Sequence, residues 1–182
     1  MKANPIFKLL ALALLLAFLG CSKSDNDIDD LQTNNKFFAK VNGTNFVSGD
    51  PYIGASYRAD DGDGINVLSI IAADVENVNF GKAIGITFSV IDDNFELKDG
   101  LVLTQNSPNV FLLLGSYTES SDTDEEFIEN TSIRLEITKV NKTNKQVSGN
   151  FNFIAVVEDA FGSEKTYTVT DGVFNNISYT ED

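Results

Sequence analysis

Apolar and polar residues alternate from residue 36 to the end of the chain, and this period of two constrains the fold most strongly. Residues 83–91, for example, place Ile84, Ile86 and Phe88 on one face of an extended segment. That period is typical of a β-strand, whereas a helix repeats every 3.6 residues. The segments are joined by short turn sequences such as Asn42-Gly43, which favours a two-residue hairpin because a type I′ turn needs positive φ at both positions. The pattern predicts an all-β fold: a single antiparallel β-sandwich or barrel-like domain of about nine or ten strands over residues 36–182.

The alternation defines the individual candidate strands. They cover residues 37–41, 44–47, 52–59, 65–73, 83–91, 110–117, 132–140, 146–157, 165–170 and 173–179. Residues 65–73 are apolar on both sides, so we expect a central strand buried on both faces, and residues 146–157 are expected to form the longest strand. Asp171-Gly172 is either a tight turn or a bulge within one long strand. Only residues 122–130 favour a helix, because acidic residues fill the first turn.

The first 20 residues have a different character from the rest. Lys2 and Lys8 precede an unbroken apolar run over residues 9–19. This run is about half of the ~20 residues that a membrane-spanning helix needs, so it predicts the hydrophobic region of a signal peptide.

The apolar run ends in Phe18-Leu19-Gly20-Cys21, which contains the single cysteine of the chain. This segment resembles a bacterial lipoprotein signal with its lipobox. Gly20 and Cys21 fit that pattern, whereas Phe18 and Leu19 differ from the usual Leu followed by Ala or Ser. The resemblance implies signal cleavage after Gly20 and lipidation of Cys21, which would anchor the protein without a spanning helix because two or more acyl chains bind a bilayer stably. An ordinary signal peptide that ends at a cysteine is the alternative.

Residues 21–35 contain few apolar side chains, so they predict a flexible acidic tether that follows the lipidated cysteine. Residues 22–30 resemble the acidic export signal of surface lipoproteins in Bacteroidetes-type bacteria. A spacer that holds the domain away from the lipid headgroups is the alternative. The expected location is therefore the outer membrane, with the domain facing the periplasm or the cell surface.

Three further segments carry a second resemblance. Residues 38–44 (FAKVNGT), 147–153 (VSGNFNF) and 170–174 (TDGVF) are, in this order, similar to a family of small β-rich lipoproteins from Bacteroidetes whose function is unassigned. The resemblance spans roughly residues 36–178. It implies a location and a fold class but no activity.

Charge and composition exclude several functions. The chain has 13 Lys and Arg against 27 Asp and Glu, for a net charge of −14, and it has no His. Nucleic-acid binding is therefore not expected, because it depends on basic residues that neutralise phosphates. Histidine-dependent catalysis and histidine metal sites are excluded, and no Ser-x-x-Lys or Gly-x-Ser-x-Gly motif follows the signal peptide. We expect a non-enzyme with no catalytic residues and no required cofactor.

One acidic loop, residues 60–64, has the composition of a cation site. Ca²⁺ binds clustered carboxylate and carbonyl oxygens. An EF-hand does not fit, because Ala59 and Ile70 would fall where Asp and Glu are required. Asp60, Asp61 and Asp63 remain the candidate ligands of a looser Ca²⁺ site. A solvated hairpin loop rich in turn-forming residues is the alternative.

Three functions therefore stay open. The first is a lipid-anchored binding or assembly module with a protein or glycan partner. The second is a lipocalin-like carrier of an apolar ligand, because residues 65–73 and 110–117 hold more apolar side chains than one sheet face needs. The third is a glycan-binding or carbohydrate-active surface protein that uses tyrosines and a close pair of loop carboxylates, for which acidic clusters such as that of Asp92 and Asp93 are candidates.

Overall fold

A computed structural model of the chain describes residues 36–74, 81–119 and 125–181, which belong to one structural unit. The predicted signal peptide, Cys21 and the tether lie outside these residues. The strands are β1 (Phe37–Val41), β2 (Thr44–Ser48), β3 (Ile53–Arg58), β4 (Ile65–Ala73), β5 (Lys82–Ile91), β6 (Leu101–Thr104), β7 (Val110–Glu119), β8 (Glu126–Asn141), β9 (Gln146–Glu158), β10 (Glu164–Ser178) and β11 (Thr180–Glu181). Within the described ranges, no helix has the length and apolarity that a membrane span requires.

The strands form two sheets that pack face to face. One sheet has six strands in the order β2-β1-β10-β9-β8-β6, and the other has five in the order β11-β3-β4-β5-β7. β11 runs parallel to β3, and the other pairs are antiparallel. The predicted all-β fold is confirmed, as a sandwich of two separate sheets. The sandwich has about eleven strands, against the nine or ten predicted. The prediction missed β6 and β11, because these short strands have too few residues to show an alternation.

The Asn42-Gly43 hairpin forms as predicted. Asn42 and Gly43 have φ values of 49° and 81°, and Val41 pairs with Thr44 across the turn. Asn42 also bonds to the neighbouring strand β10. Its backbone N–H donates to the carbonyl of Thr168, and its Oδ1 accepts from the N–H of Thr168, both at 2.9 Å. The turn residue therefore fixes β1 against β10.

Asp171-Gly172 is a bulge rather than a turn. β10 runs through it, and the register against β9 shifts between Val169 and Gly172. Asp171 has a φ of 53° and pairs with Lys40 at 2.8 Å. A Cβ at Gly172 would lie 2.5 Å from the carbonyl oxygen of Phe151, so only glycine permits this approach.

Three strand predictions require correction. β4 is central in its sheet, but only its inner face is buried, and Ile71 on its outer face is 58% exposed. Residues 126–130 begin β8 rather than a helix, because pairing with β9 outweighs the local preference of the acidic residues; residues 122–124 lie outside the described part. β9 was predicted to be the longest strand, but β8 and β10 are both longer. Each of these two strands contains bulges, so it continues where the alternation is locally interrupted.

Phenylalanine fills much of the space between the sheets. Phe37, Phe88, Phe153 and Phe174 are fully buried. The ring of Phe151 lies 6.3 Å from that of Phe153 and 6.4 Å from that of Phe174, with the ring planes stacked in both pairs. The alternating faces that were predicted to form the core therefore do so.

The two sheets are in close contact where Phe153 of β9 faces Gly115 of β7. A Cβ at Gly115 would lie 2.4 Å from the Phe153 ring, so the ring packs directly on the glycine backbone. Any side chain at residue 115 would force the sheets apart, because close-packed interiors do not absorb added atoms cheaply.

The side chain of Asn130 satisfies the backbone at this contact. Gly115 N–H donates to Asn130 Oδ1 at 2.9 Å, and Asn130 Nδ2 donates to the Gly115 carbonyl at 2.8 Å and to the Ile154 carbonyl at 3.3 Å. β7 is an edge strand, and in an antiparallel ladder the N–H and C=O of one residue point to the same side. The Asn130 amide thus takes the place of a neighbouring strand on the open edge of β7.

Removing this amide should destabilise the sandwich. We expect Asn130→Ala to lower the free energy of unfolding by about 2–4 kcal/mol, because the N–H and C=O of Gly115 lose their partners. Urea denaturation of the purified protein measures the change. Asn152→Ala, at an exposed position of β9, is the control and should stay within about 0.5 kcal/mol of wild type. Equal losses for the two variants would contradict the role given to Asn130.

Candidate functional site

The structure brings the three predicted cation ligands together in the loop between β3 and β4. One carboxylate oxygen from each of Asp60, Asp61 and Asp63 lies within 4.8 Å of the others. Asp60 is half-buried, whereas Asp61 and Asp63 are exposed. This grouping is what residues 60–64 predict, and the hydrogen bonds of the loop show how it is held.

Turn hydrogen bonds engage two of the three carboxylates. Asp60 Oδ1 accepts from the backbone N–H groups of Gly62 and Gly64, both at 2.7 Å, and Asp63 Oδ1 accepts from Ile65 N–H at 2.8 Å. The other oxygen of Asp63 pairs with the Arg58 guanidinium. The Ile65 N–H and the Arg58 guanidinium lower the pKa of Asp63, and the same ion pair raises the pKa of Arg58. Arg58 supplies a positive charge to the cluster, and the turn accounts for the arrangement of Asp60 and Asp63.

A second acidic loop, after β5, packs beside the first. Asp92 N–H donates to the Gly64 carbonyl at 2.9 Å, and the buried amide of Asn66 donates to the Asp92 carbonyl at 3.2 Å. The two carboxylate oxygens of Asp92 accept from Asn94 N–H and from Asn109 Nδ2, at 2.9 and 3.1 Å. The loop carboxylates of Asp60, Asp63 and Asp92 therefore have structural partners, which is an arrangement typical of turns.

Four of the five tyrosines are buried in two ring pairs. Tyr117 and Tyr167 meet edge to face at 4.7 Å, and Tyr57 and Tyr179 do so at 5.9 Å. Burial, followed by the hydrogen bond to Glu119, raises the pKa of Tyr117. Flat sugar-binding platforms need exposed ring faces, and these four rings pack against core residues instead.

Two clefts lie at opposite ends of the sandwich. The first, about 140 Å³, lies beside the Asn42-Gly43 hairpin and Tyr117, and the second, about 250 Å³, lies beside Tyr57 and Tyr179. Both are smaller than the ~300–1,000 Å³ typical of small-molecule sites. A third cleft, about 530 Å³, lies beside the second between residues 97–99 and 139–143, and most of the side chains that line it are polar or charged.

The outer face of the five-stranded sheet is the most unusual surface of the described residues. We call it the uncharged face. It consists of Gly54 and Ser56 of β3, Ile65, Val67, Ser69, Ile71 and Ala73 of β4, Ala83, Gly85, Thr87, Ser89 and Ile91 of β5, and Leu112, Leu114, Ser116 and Thr118 of β7. None of these residues is charged, although charged residues make up 22% of the chain. Arg58 follows at the corner of this face and is paired with Asp63.

Large apolar side chains project from the uncharged face. Ile71, Ile91 and Leu112 are 58%, 47% and 40% exposed. The outer face of the six-stranded sheet differs, because it carries ion pairs between Arg134 and Glu136 and between Lys40 and Asp171, both at 2.8 Å. Exposed apolar side chains on a sheet face that is nearly free of charge indicate a candidate interaction site.

The sequence contained a signal for this surface. Residues 65–73 are apolar on both sides, and we interpreted that pattern as burial on both faces. The same pattern arises when a second apolar face is left uncovered, as the outer face is by the residues that the structure describes. Local alternation identifies the apolar positions, but it does not tell which sheet face another layer covers.

Comparison with protein-family models, curated proteins and solved structures gives no match for this chain. The lipoprotein resemblance and the assignments of Gly20 and Cys21 therefore stay predictions, and both residues lie outside the described part of the chain.

The acidic loop yields a stability prediction. Asp60→Ala removes the acceptor of two backbone N–H groups, so we expect the free energy of unfolding to fall by about 1–2 kcal/mol. Asp60→Asn keeps an acceptor oxygen and should lose less. Asp61→Ala, at an exposed position of the same loop, is the control and should stay within about 0.5 kcal/mol.

The same variants test the Ca²⁺ hypothesis. Because turn hydrogen bonds and Arg58 already engage the loop carboxylates, we expect CaCl₂ to leave the melting temperature of the wild type unchanged. A rise in melting temperature with CaCl₂ that Asp60→Ala abolishes would instead support a cation site.

Proposed function

We propose that the chain is a lipid-anchored protein of the cell envelope whose β-sandwich is a non-enzymatic binding or assembly module. The uncharged face is its docking surface. The anchor rests on the lipobox-like segment that ends at Cys21, and the docking role rests on a single observation, the near absence of charge from the outer face of the five-stranded sheet, where Arg58 at the corner is the one charged residue of β3, β4, β5 and β7.

The charge distribution supports the docking role. Charged side chains are depleted from the cores of protein interfaces, because each one loses its hydration when the interface forms. The chain carries 27 acidic and 13 basic residues, yet the only charged residue that β3, β4, β5 and β7 place on this outer face is Arg58 at its corner, which is paired with Asp63. An uncovered apolar layer of this kind lowers its free energy when a partner removes it from water.

The point where the chain enters the domain is compatible with an anchor. Lys36 immediately precedes β1, which lies in the six-stranded sheet, whereas the uncharged face belongs to the other sheet. The chain therefore enters the domain on the sheet that does not carry the uncharged face.

Packing between the sheets favours a binding module over the lipocalin-like carrier. The ring of Phe153 rests on the backbone of Gly115, and the two end clefts are smaller than typical ligand sites. An apolar cargo would have to separate side chains that already contact one another.

The anchor is tested by changing the cysteine. We expect the wild type to sediment with membranes and Cys21→Ala to move to the soluble fraction, because the variant lacks the atom that accepts the lipid. Ser22→Ala, which changes the next residue and keeps Cys21, should behave like the wild type. Protease treatment of intact cells then reports whether the domain faces outward. Retention of Cys21→Ala on membranes would refute the anchor.

A further inference from the structure

We propose that the uncharged face docks on the same face of a second copy of this chain, forming a twofold-symmetric dimer with β4 and β5 at its centre. This inference rests on the proposed function, since it names the partner of that docking surface.

The charge of the chain restricts the partner. Burying the uncharged face against a charged surface would strip water from charges that find no counterpart on it. Contacts between two copies elsewhere would bring acidic side chains together, since the chain carries 27 acidic residues against 13 basic ones. A twofold axis through the uncharged face matches it with an identical uncharged surface and keeps the acids outside the contact.

Small residues surround the exposed isoleucine at the centre of the face. Ile71 of β4 projects into solvent and lies beside Gly85 of β5 in the strand register. Gly85 has no side chain, and the Ser116 hydroxyl covers its position, since a Cβ there would lie 2.6 Å from Ser116 Oγ. A twofold axis near this pair would bring Ile71 of each copy against this small-residue surface of the other, and twisted sheets of the same hand pack face to face at about −30°.

The size of the face reaches the lower limit of specific interfaces. Four strands at a spacing of about 4.8 Å and the length of β4 at about 3.3 Å per residue give a surface of about 19 by 30 Å, or about 600 Å² per copy. That value lies at the lower end of the area that specific interfaces bury on each partner, about 600–1,000 Å².

Pairing through sheet edges is less suited to the same partner. The Asn130 amide occupies the open side of β7 at Gly115, and β11 covers Ser56 and Tyr57 on the other edge of the five-stranded sheet. These contacts occupy part of both edges and hinder a second chain from extending the sheet, whereas none of the described residues covers the outer face.

Photo-crosslinking of the full-length protein in intact cells tests the proposal. A benzophenone amino acid replaces Leu112 on the uncharged face or, as a control, Asn152 on the six-stranded sheet. We expect a crosslinked product of twice the protein mass from position 112 and none from position 152. The product should fall about tenfold or more in Ile71→Asp, which buries an unpaired charge in each copy.

Two further variants make the outcome decisive. Phe161→Asp places the same charge at a 95% exposed position between β9 and β10 and should leave the product unchanged. Ile71→Ser removes the apolar projection without adding charge and should also reduce the product, with thermal melting of both Ile71 variants close to wild type.

The mass of the product separates the two proposals. A product with a different protein refutes self-association while it supports the docking function of the face. Absence of any product from position 112 refutes both. A dimer that persists in Ile71→Asp shows that self-association uses another surface and refutes the twofold arrangement.

Discussion

The hydrogen bonds between Gly115 and Asn130 join the two sheets at a point of close packing. Gly115 has no side chain, so the Phe153 ring packs on its backbone and the inner faces close over the core. That approach would leave the N–H and C=O of Gly115 without partners in an apolar setting, and a buried unpaired group costs more than a hydrogen bond gains. The Asn130 amide supplies both partners. Close packing at this point therefore depends on a polar side chain from the opposite sheet.

The same amide connects packing to surface function. By bonding to β7 on its open side, Asn130 both joins the sheets and protects an edge that would otherwise pair with another chain. The five-stranded sheet then offers its outer face rather than its edge to a partner. The exposed apolar residues Ile71 and Leu112 lie on that face, and Arg58 at its corner is the one charged residue that β3, β4, β5 and β7 place there.

Local chemistry predicted the parts of the fold that neighbours along the chain determine. Asn42-Gly43 predicted its hairpin because positive φ is a property of those two residues, and residues 65–73 predicted β4 with its observed bounds. The helix predicted over residues 122–130 was wrong where the structure describes it, because pairing with β9 outweighs the helix preference of the acidic residues at the start of β8. The Asn130–Gly115 contact had no local signal, because it depends on how distant strands meet. Residues 65–73 indicated two apolar faces, but they could not tell which of the two another layer covers. The proximity of Asp60, Asp61 and Asp63 was predictable from their shared loop, but the role of Arg58 was not.

The position of β1 has a mechanical consequence. Any pull on the chain before Lys36 enters the six-stranded sheet through β1, which is hydrogen-bonded to β2 on one side and to β10 on the other. These bonds run perpendicular to the strands, so a pull along β1 loads them in shear and strains both ladders together. A chain that entered through an edge strand and was pulled sideways would be peeled off one bond at a time. The order of strands therefore makes the entry point of the domain resistant to force along β1.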